Sequence, residues 1–399
     1  MFEADPQSSD EECPIPDNNS CNEEEIKKLF KSAFFKCSEK AISLKRTCGL
    51  HLSLSNDGQK LAVGLSRKEL LLYQLSANGE LTQDQIYSAK YSCAIKGVKF
   101  FNNDNNLLMS CTEDGTVTLH DLRLANSVTT YEDRSEGPKK TSTAFDINQS
   151  DRVLCVSTDV QKNGDSFLLF YDIREREYMG SYWECHSEDI THVRFHPTNP
   201  DLFASGSVDG LINVFDISQP NEDDALQYCF NIHNAIETFN WHQSPQKKDW
   251  ISCITTTNDF HLYDVASQNQ EAVCSRQSIT AAIRRTSSID CNLIETHNDS
   301  SGFFLLAGSN YNSGECLRSL RYDSKCFTPH INFMHNKQIV RASVYNEKER
   351  CLITTGEGGL ITVWRYIEAS EFGNGNEMES NVSKTMKQNM HTEHRSRPY

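Results

Sequence analysis

The sequence predicts an all-β chain folded as a seven-bladed β-propeller, and three observations carry that prediction. Four strand-like runs close on an aromatic ring followed by Asp: 117–121 (VTLHD), 168–172 (LLFYD), 212–216 (INVFD) and 260–264 (FHLYD). The closing residues Asp121, Asp172, Asp216 and Asp264 stand 51, 44 and 48 positions apart. Residues 188–215 (EDITHVRFHPTNPDLFASGSVDGLINVF) read as three short strands separated by Asn-Pro and Asp-Gly turns. A repeat of roughly 40–50 residues made of several short strands is the signature of a propeller, because such units bury a core only by stacking on their neighbours.

Taken in order, residues 1–33 read as an acidic arm. Residues 1–22 are polar and Pro-containing, with the composition of a disordered segment. Residues 23–33 (EEEIKKLFKSA) place acids before lysines, as the dipole of a short helix prefers. A strand at 34–38 is expected to complete the last blade and so remove an open sheet edge. Seven units follow, at about 47–76, 94–124, 141–175, 186–217, 233–266, 289–322 and 335–367. Each holds three runs of four to seven residues bounded by Asn, Asp, Gly or Ser. The fourth strand of each is expected in the intervening segment, as at 226–232. The fourth unit is the cleanest; the sixth, read to 322, lacks an aromatic-Asp ending. The propeller thus spans 34–367, and 368–399 is a polar tail of disordered composition.

Composition narrows the functional classes. The net charge is -16, and residues 1–25 hold nine acids with no Lys or Arg, which leaves -7 for the other 374 residues. An acidic body of this kind argues against a nucleic-acid binder, which needs clustered Lys and Arg. No apolar run is long enough for a membrane span, and the first residues (MFEADPQSSDEE) lack the features of a secretory signal. The 15 cysteines, none in a Cys-x-x-Cys pair, read as reduced thiols of an intracellular protein, nuclear or cytoplasmic. His192 and His196 are four apart, but on a strand that spacing does not make a metal pair. No nucleophile elbow or phosphate loop occurs. No enzyme, cofactor or metal is expected.

These repeats resemble the WD-repeat β-propellers over about 47–367. The resemblance implies a buried network in each blade: a His ahead of the first strand, a Ser or Thr on the second, an Asp in the next turn and a Trp on the third. In the fourth unit these positions hold His186, Ser205, Asp209 and Phe215, and Phe has no ring N–H to donate. The second unit has Tyr91, Ser110, Asp114 and His120 there; the seventh has His335, Thr354, Gly358 and Trp364.

Two consecutive units end in Asp-x-Arg: Asp121-Leu122-Arg123 and Asp172-Ile173-Arg174. This resembles the WDxR box of propellers that dock on the DDB1 adaptor of cullin-4 ubiquitin ligases, although neither box here has Trp. A guanidinium just past a third strand can bind a partner's carboxylates or carbonyls in bidentate fashion. Residues 221–224 (NEDD) and the Arg284-Arg285 pair are further surface candidates. The expected function is a non-enzymatic protein-interaction scaffold, monomeric within a larger complex. The alternative is a ubiquitin-ligase substrate receptor that uses Arg123 and Arg174.

Overall fold

The computed structural model describes residues 19–366 except 32–33, 44–45, 77, 83, 125–126, 134–138, 245 and 324. The stretches 1–18 and 368–399, expected to be disordered, lie outside the described residues. The strands form seven antiparallel sheets of four. Blade 1 runs from Gly49–Leu54 to Tyr87–Lys90, blade 2 from Ile95–Phe100 to Ser127–Glu132, and blade 3 from Ser142–Ile147 to Glu177–Tyr182. Blade 4 runs from Ile190–Phe195 to Leu226–Asn231, blade 5 from Ile236–Gln243 to Gln270–Cys274, and blade 6 from Cys291–Asp299 to Cys326–Asn332. Blade 7 supplies Val340–Asn346, Cys351–Gly356 and Leu360–Tyr366. Its fourth strand is the first strand of the fold, Phe34–Ala41, which pairs with Leu360–Tyr366 from Phe34 opposite Tyr366 to Ala41 opposite Leu360. That pairing covers an edge that would otherwise present free backbone groups.

Burial follows from the ring. The second and third strands of a blade face a neighbour on both sides, so runs such as Leu202–Ser207 are buried almost throughout, while the outermost strands are half exposed. The buried apolar residues fall into seven clusters, one at each blade–blade interface. Between blades 3 and 4, for example, Phe203 stacks on Phe215 at 5.1 Å and meets Phe170 edge-on at 5.6 Å. No blade owns a core, as expected of stacked units. In all seven blades the innermost strand carries a bulge near its start, as at Ile190/His192. Bulges strengthen the local twist and re-aim side chains, here toward the central channel.

Two features differ from the sequence expectation. The third strand of blade 6 is Leu317–Asp323, which does end in aromatic-Asp, Tyr322-Asp323, one residue past the unit as read. Its spacing from Asp264 is stretched by an inserted helix, Arg276–Ala282, between blades 5 and 6. The arm is also in place further back than its composition suggested. Glu23–Leu29 forms helix α1, started by a capping box in which the Asn22 side chain accepts from Glu25 N at 2.9 Å. Ile26 and Phe30 are buried in the interface of blades 5 and 6. Ahead of the helix, the Asn19 side chain accepts from Arg285 at 2.9 Å and Arg318 at 3.3 Å. Residues 19–31 thus strap two blades together, because two apolar side chains and one amide find buried partners there.

Candidate functional site

In blade 4 the structure brings three of the four network residues together. His186 lies 3.0 Å through Nδ1 from Asp209 and 2.7 Å through Nε2 from Ser205 Oγ. Burial pushes the Asp209 carboxyl up, but hydrogen bonds from His186, Leu211 N and Ser187 N outweigh it and hold the group below the usual carboxylate range. Phe215 packs in the aromatic stack, and the network ends at Ser205. Gly210, at φ 82°, makes the turn just after Asp209; a Cβ there would sit 3.1 Å from Asn234 N.

Blade 2 closes a network of another composition. The Tyr91 hydroxyl stands 2.6 Å from Ser110 Oγ and 2.9 Å from His120 Nε2, while the Tyr87 hydroxyl reaches His120 Nδ1 at 2.9 Å. Burial lowers His120 to about 4, so the ring is neutral. Asp114 does not join; it accepts from Thr112 Oγ1 at 2.8 Å within its own turn. In blade 7, Trp364 Nε1 donates to Thr354 Oγ1 at 3.1 Å. His335 is exposed and takes no part, and Gln338 instead bonds Leu360 from beside Gly358, where no side chain stands in its way. A further network was not foreseen. His242 bonds Ser252 Oγ at 2.7 Å and also the Asn298 side chain, linking blade 5 to blade 6. Its residues stand outside the repeat positions, so the repeat pattern held no signal for it.

The two arginines of the Asp-x-Arg boxes lie in equivalent turns after the third strands of adjacent blades, and antiparallel topology puts both turns on one face. Arg123 is held by its own box: Nε to Asp121 Oδ1 at 2.8 Å and Nη2 to Oδ2 at 2.7 Å, with 58% of its side chain exposed. These bonds hold the Asp121 carboxyl below its ordinary value. Arg174 is exposed and makes no ion pair among the described residues; Asp172 Oδ1 instead accepts from Glu175 N at 2.8 Å.

Other candidates separate from function. Asn221 caps a short helix, Glu222–Ala225, and Glu222 accepts from Trp183 N at 2.9 Å and Glu184 N at 3.0 Å, so this acid run splices blades 3 and 4. Arg285 is buried under the strap. His192 and His196 both line the channel, and His196 pairs with Asp249 at 3.3 Å rather than with His192. Burial pushes the Cys185 thiol well above its ordinary value, which leaves the Cys185-His186 pair without a ready nucleophile. Among the described residues no three His, Cys, Asp or Glu side chains are grouped to hold a metal. Nor is any helix there long and apolar enough to cross a membrane.

The central channel, about 910 Å³, is polar and crossed by an ion pair from Arg194 of blade 4 to Glu295 of blade 6 at 3.2 Å. Asn240 of blade 5 donates to the same Glu295 at 2.8 Å.

Seven four-stranded blades closed by the first strand make this chain a seven-bladed β-propeller, and the family model for the WD domain, G-beta repeat, matches residues 83–121 and 178–216. Both matches end on the closing Asp of a third strand. In sequence the chain is similar to a WD repeat-containing protein 89 homolog of Dictyostelium discoideum, 23% identical over 78% of this chain and 82% of that protein. It is also similar to an uncharacterised WD repeat-containing protein of Saccharomyces cerevisiae, 24% identical over 76% of this chain and 75% of the other. GATOR2 complex protein WDR24 of Xenopus laevis is 22% identical over 55% of this chain but only 27% of its own length. In fold it matches a chain from the crystal structure of a mitotic checkpoint complex, with a TM-score of 0.62, 16% identity, and coverage of 92% of this chain and 98% of that one.

Proposed function

We propose that this propeller is a non-enzymatic, intracellular scaffold that holds protein partners in a larger complex. One observation carries the reading: most buried imidazoles and the channel carboxylate are spent on joining strands and blades, His192 Nδ1 in the channel being an exception. His186, His242 and His120 each bond a Ser of their own blade, and Glu295 is tied to Arg194 and Asn240. What remains for recognition is the set of exposed loops on a rigid disc, where propellers can vary surface without disturbing the frame. Similarity to a GATOR2 complex protein supports a place among assembled complexes.

A second reading is favoured by the exposure of Arg123 and Arg174 on one face. They form a two-point dock for a ubiquitin-ligase adaptor, Arg123 already aligned by Asp121 and Arg174 without an ion pair among the described residues. Affinity purification with mass spectrometry, wild type against the Arg123→Ala/Arg174→Ala variant, tests both readings. Partners retained by the folded variant support the scaffold alone. Selective loss of the cullin-4 adaptor supports the dock, and recovery of no stable partner by either protein overturns both.

A further inference from the structure

We propose that a cleft between blades 6 and 7 binds an acidic peptide segment that inserts one aromatic or aliphatic side chain. The proposal rests on the scaffold reading and names the chemistry that one partner would carry. The cleft, about 230 Å³, opens on the face that holds the turns between first and second strands. Its walls are aromatic: Phe34 meets Tyr366 edge-on at 5.8 Å, and Phe304 meets Tyr345 edge-on at 5.2 Å. A volume below the roughly 300–1,000 Å³ of small-molecule pockets suits one side chain of an extended segment.

Its charges select an anion. Arg321 is balanced by Asp299, at 3.0 Å from Nη1 to Oδ1, and its Nη2 lies 3.1 Å from His330 Nε2. Burial lowers His330 to about 4, so the ring is neutral and accepts that hydrogen. The Arg350 guanidinium lies 5.1 Å over the Tyr366 ring. Lys31, at the end of the strap, is fixed through its backbone N–H to His330 O at 2.9 Å. Its ammonium is exposed and makes no ion pair among the described residues. The lining therefore sets Lys31, Arg321 and Arg350 against Asp299 and Glu347, a positive balance on a chain of net charge -16. The Tyr345 hydroxyl has no hydrogen-bond partner among the described residues and stands ready to donate to a carboxylate.

The test is fluorescence anisotropy on the full chain with three labelled peptides: Glu-Glu-Phe-Glu-Glu, its Ala-for-Phe version and its Lys-for-Glu version. The acidic Phe peptide should bind, and both controls should bind at least about tenfold more weakly. Lys31→Glu, an exposed change, should weaken binding by about tenfold or more without shifting the melting temperature, and added salt should act in the same direction. Absence of binding, equal binding of all three peptides, or indifference to Lys31→Glu overturns the proposal. Because the readout uses a synthetic peptide, its failure leaves the result of affinity purification untouched.

Discussion

Tyr91 holds Ser110 and His120 at once, its hydroxyl 2.6 Å from one and 2.9 Å from the other. In blade 4 the imidazole leads the first strand; in blade 2 it sits on the third, and a phenol leads instead. The polar closure survives because both arrangements put a ring nitrogen against a buried Ser hydroxyl. Tyr91→Phe takes one hydrogen bond each from Ser110 and His120, which still bond each other at 2.9 Å, and should cost about 1 kcal/mol. His120→Phe should cost a similar amount, and the double variant clearly less than the sum, since both remove the same network. Urea unfolding of the four proteins checks this, provided the slope is unchanged. Strict additivity would show that the two residues act independently.

The blades were legible because they rest on short-range signals: apolar runs, Asp-Gly turns and the aromatic-Asp ending repeat in the chain itself. The closing strand was legible for a topological reason, since an open ring has edges to cover. The strap was not, because Ile26 and Phe30 are two apolar residues in an acidic stretch, and their partners, such as Ile283 and Leu320, lie about 250–300 positions away. The helix Arg276–Ala282 gave no clear pattern either, since only Ile279 and Thr280 of its seven residues are buried, and it stretched the spacing to the sixth repeat. At the candidate site, exposure of Arg123 and Arg174 follows from their place after a third strand. The Lys31–Arg350 cleft joins the arm to the last blade, and no local pattern announces that.

Acid should unfold this protein early. Burial lowers His51, His120, His242 and His330 to about 4, and His192 and His297 to about 3. In the unfolded chain these rings take up protons near 6.5. Between 6.5 and their folded values the unfolded state therefore binds more protons, and stability falls as pH is lowered through that window. Each such ring can contribute up to about 1.4 kcal/mol per pH unit. Melting temperatures should be flat from pH 8 to 7 and drop steadily from pH 6.5 to 4. His242→Gln should flatten that slope; an unchanged slope would remove His242 from the account.

The strap makes a separate prediction. Phe30 is 1% exposed, and the Arg318 guanidinium lies 5.2 Å from its ring centre. Phe30→Ala should cost about 3–5 kcal/mol, as a large aromatic deletion in a closed core does. Lys27→Ala, which loosens only an exposed contact with Glu23 at 4.0 Å, should change stability by less than about 0.5 kcal/mol. Chemical unfolding of both variants checks the contrast. A Phe30→Ala cost under about 1 kcal/mol would mean that blades 5 and 6 hold together without the arm.

Asp151 of blade 3 binds the first turn of blade 2 at four points: its Oδ1 accepts from Asn102 N at 2.9 Å and Nδ2 at 2.8 Å, and its Oδ2 from Asn103 N at 2.7 Å and Nδ2 at 2.9 Å. The residue also stands at φ 56°, where a Cβ is strained. Two substitutions separate these effects. Asp151→Gly removes the four bonds but suits the backbone, so its cost of about 1–3 kcal/mol measures the clamp. Asp151→Ala removes the same bonds and keeps the strain, so it should be worse by a further 1 kcal/mol or so. Amide exchange at Asn102 and Asn103 should speed up equally in both variants, because only the lost acceptor matters there. If Gly and Ala cost the same, the positive φ is not held in solution, and the turn has shifted to an ordinary conformation.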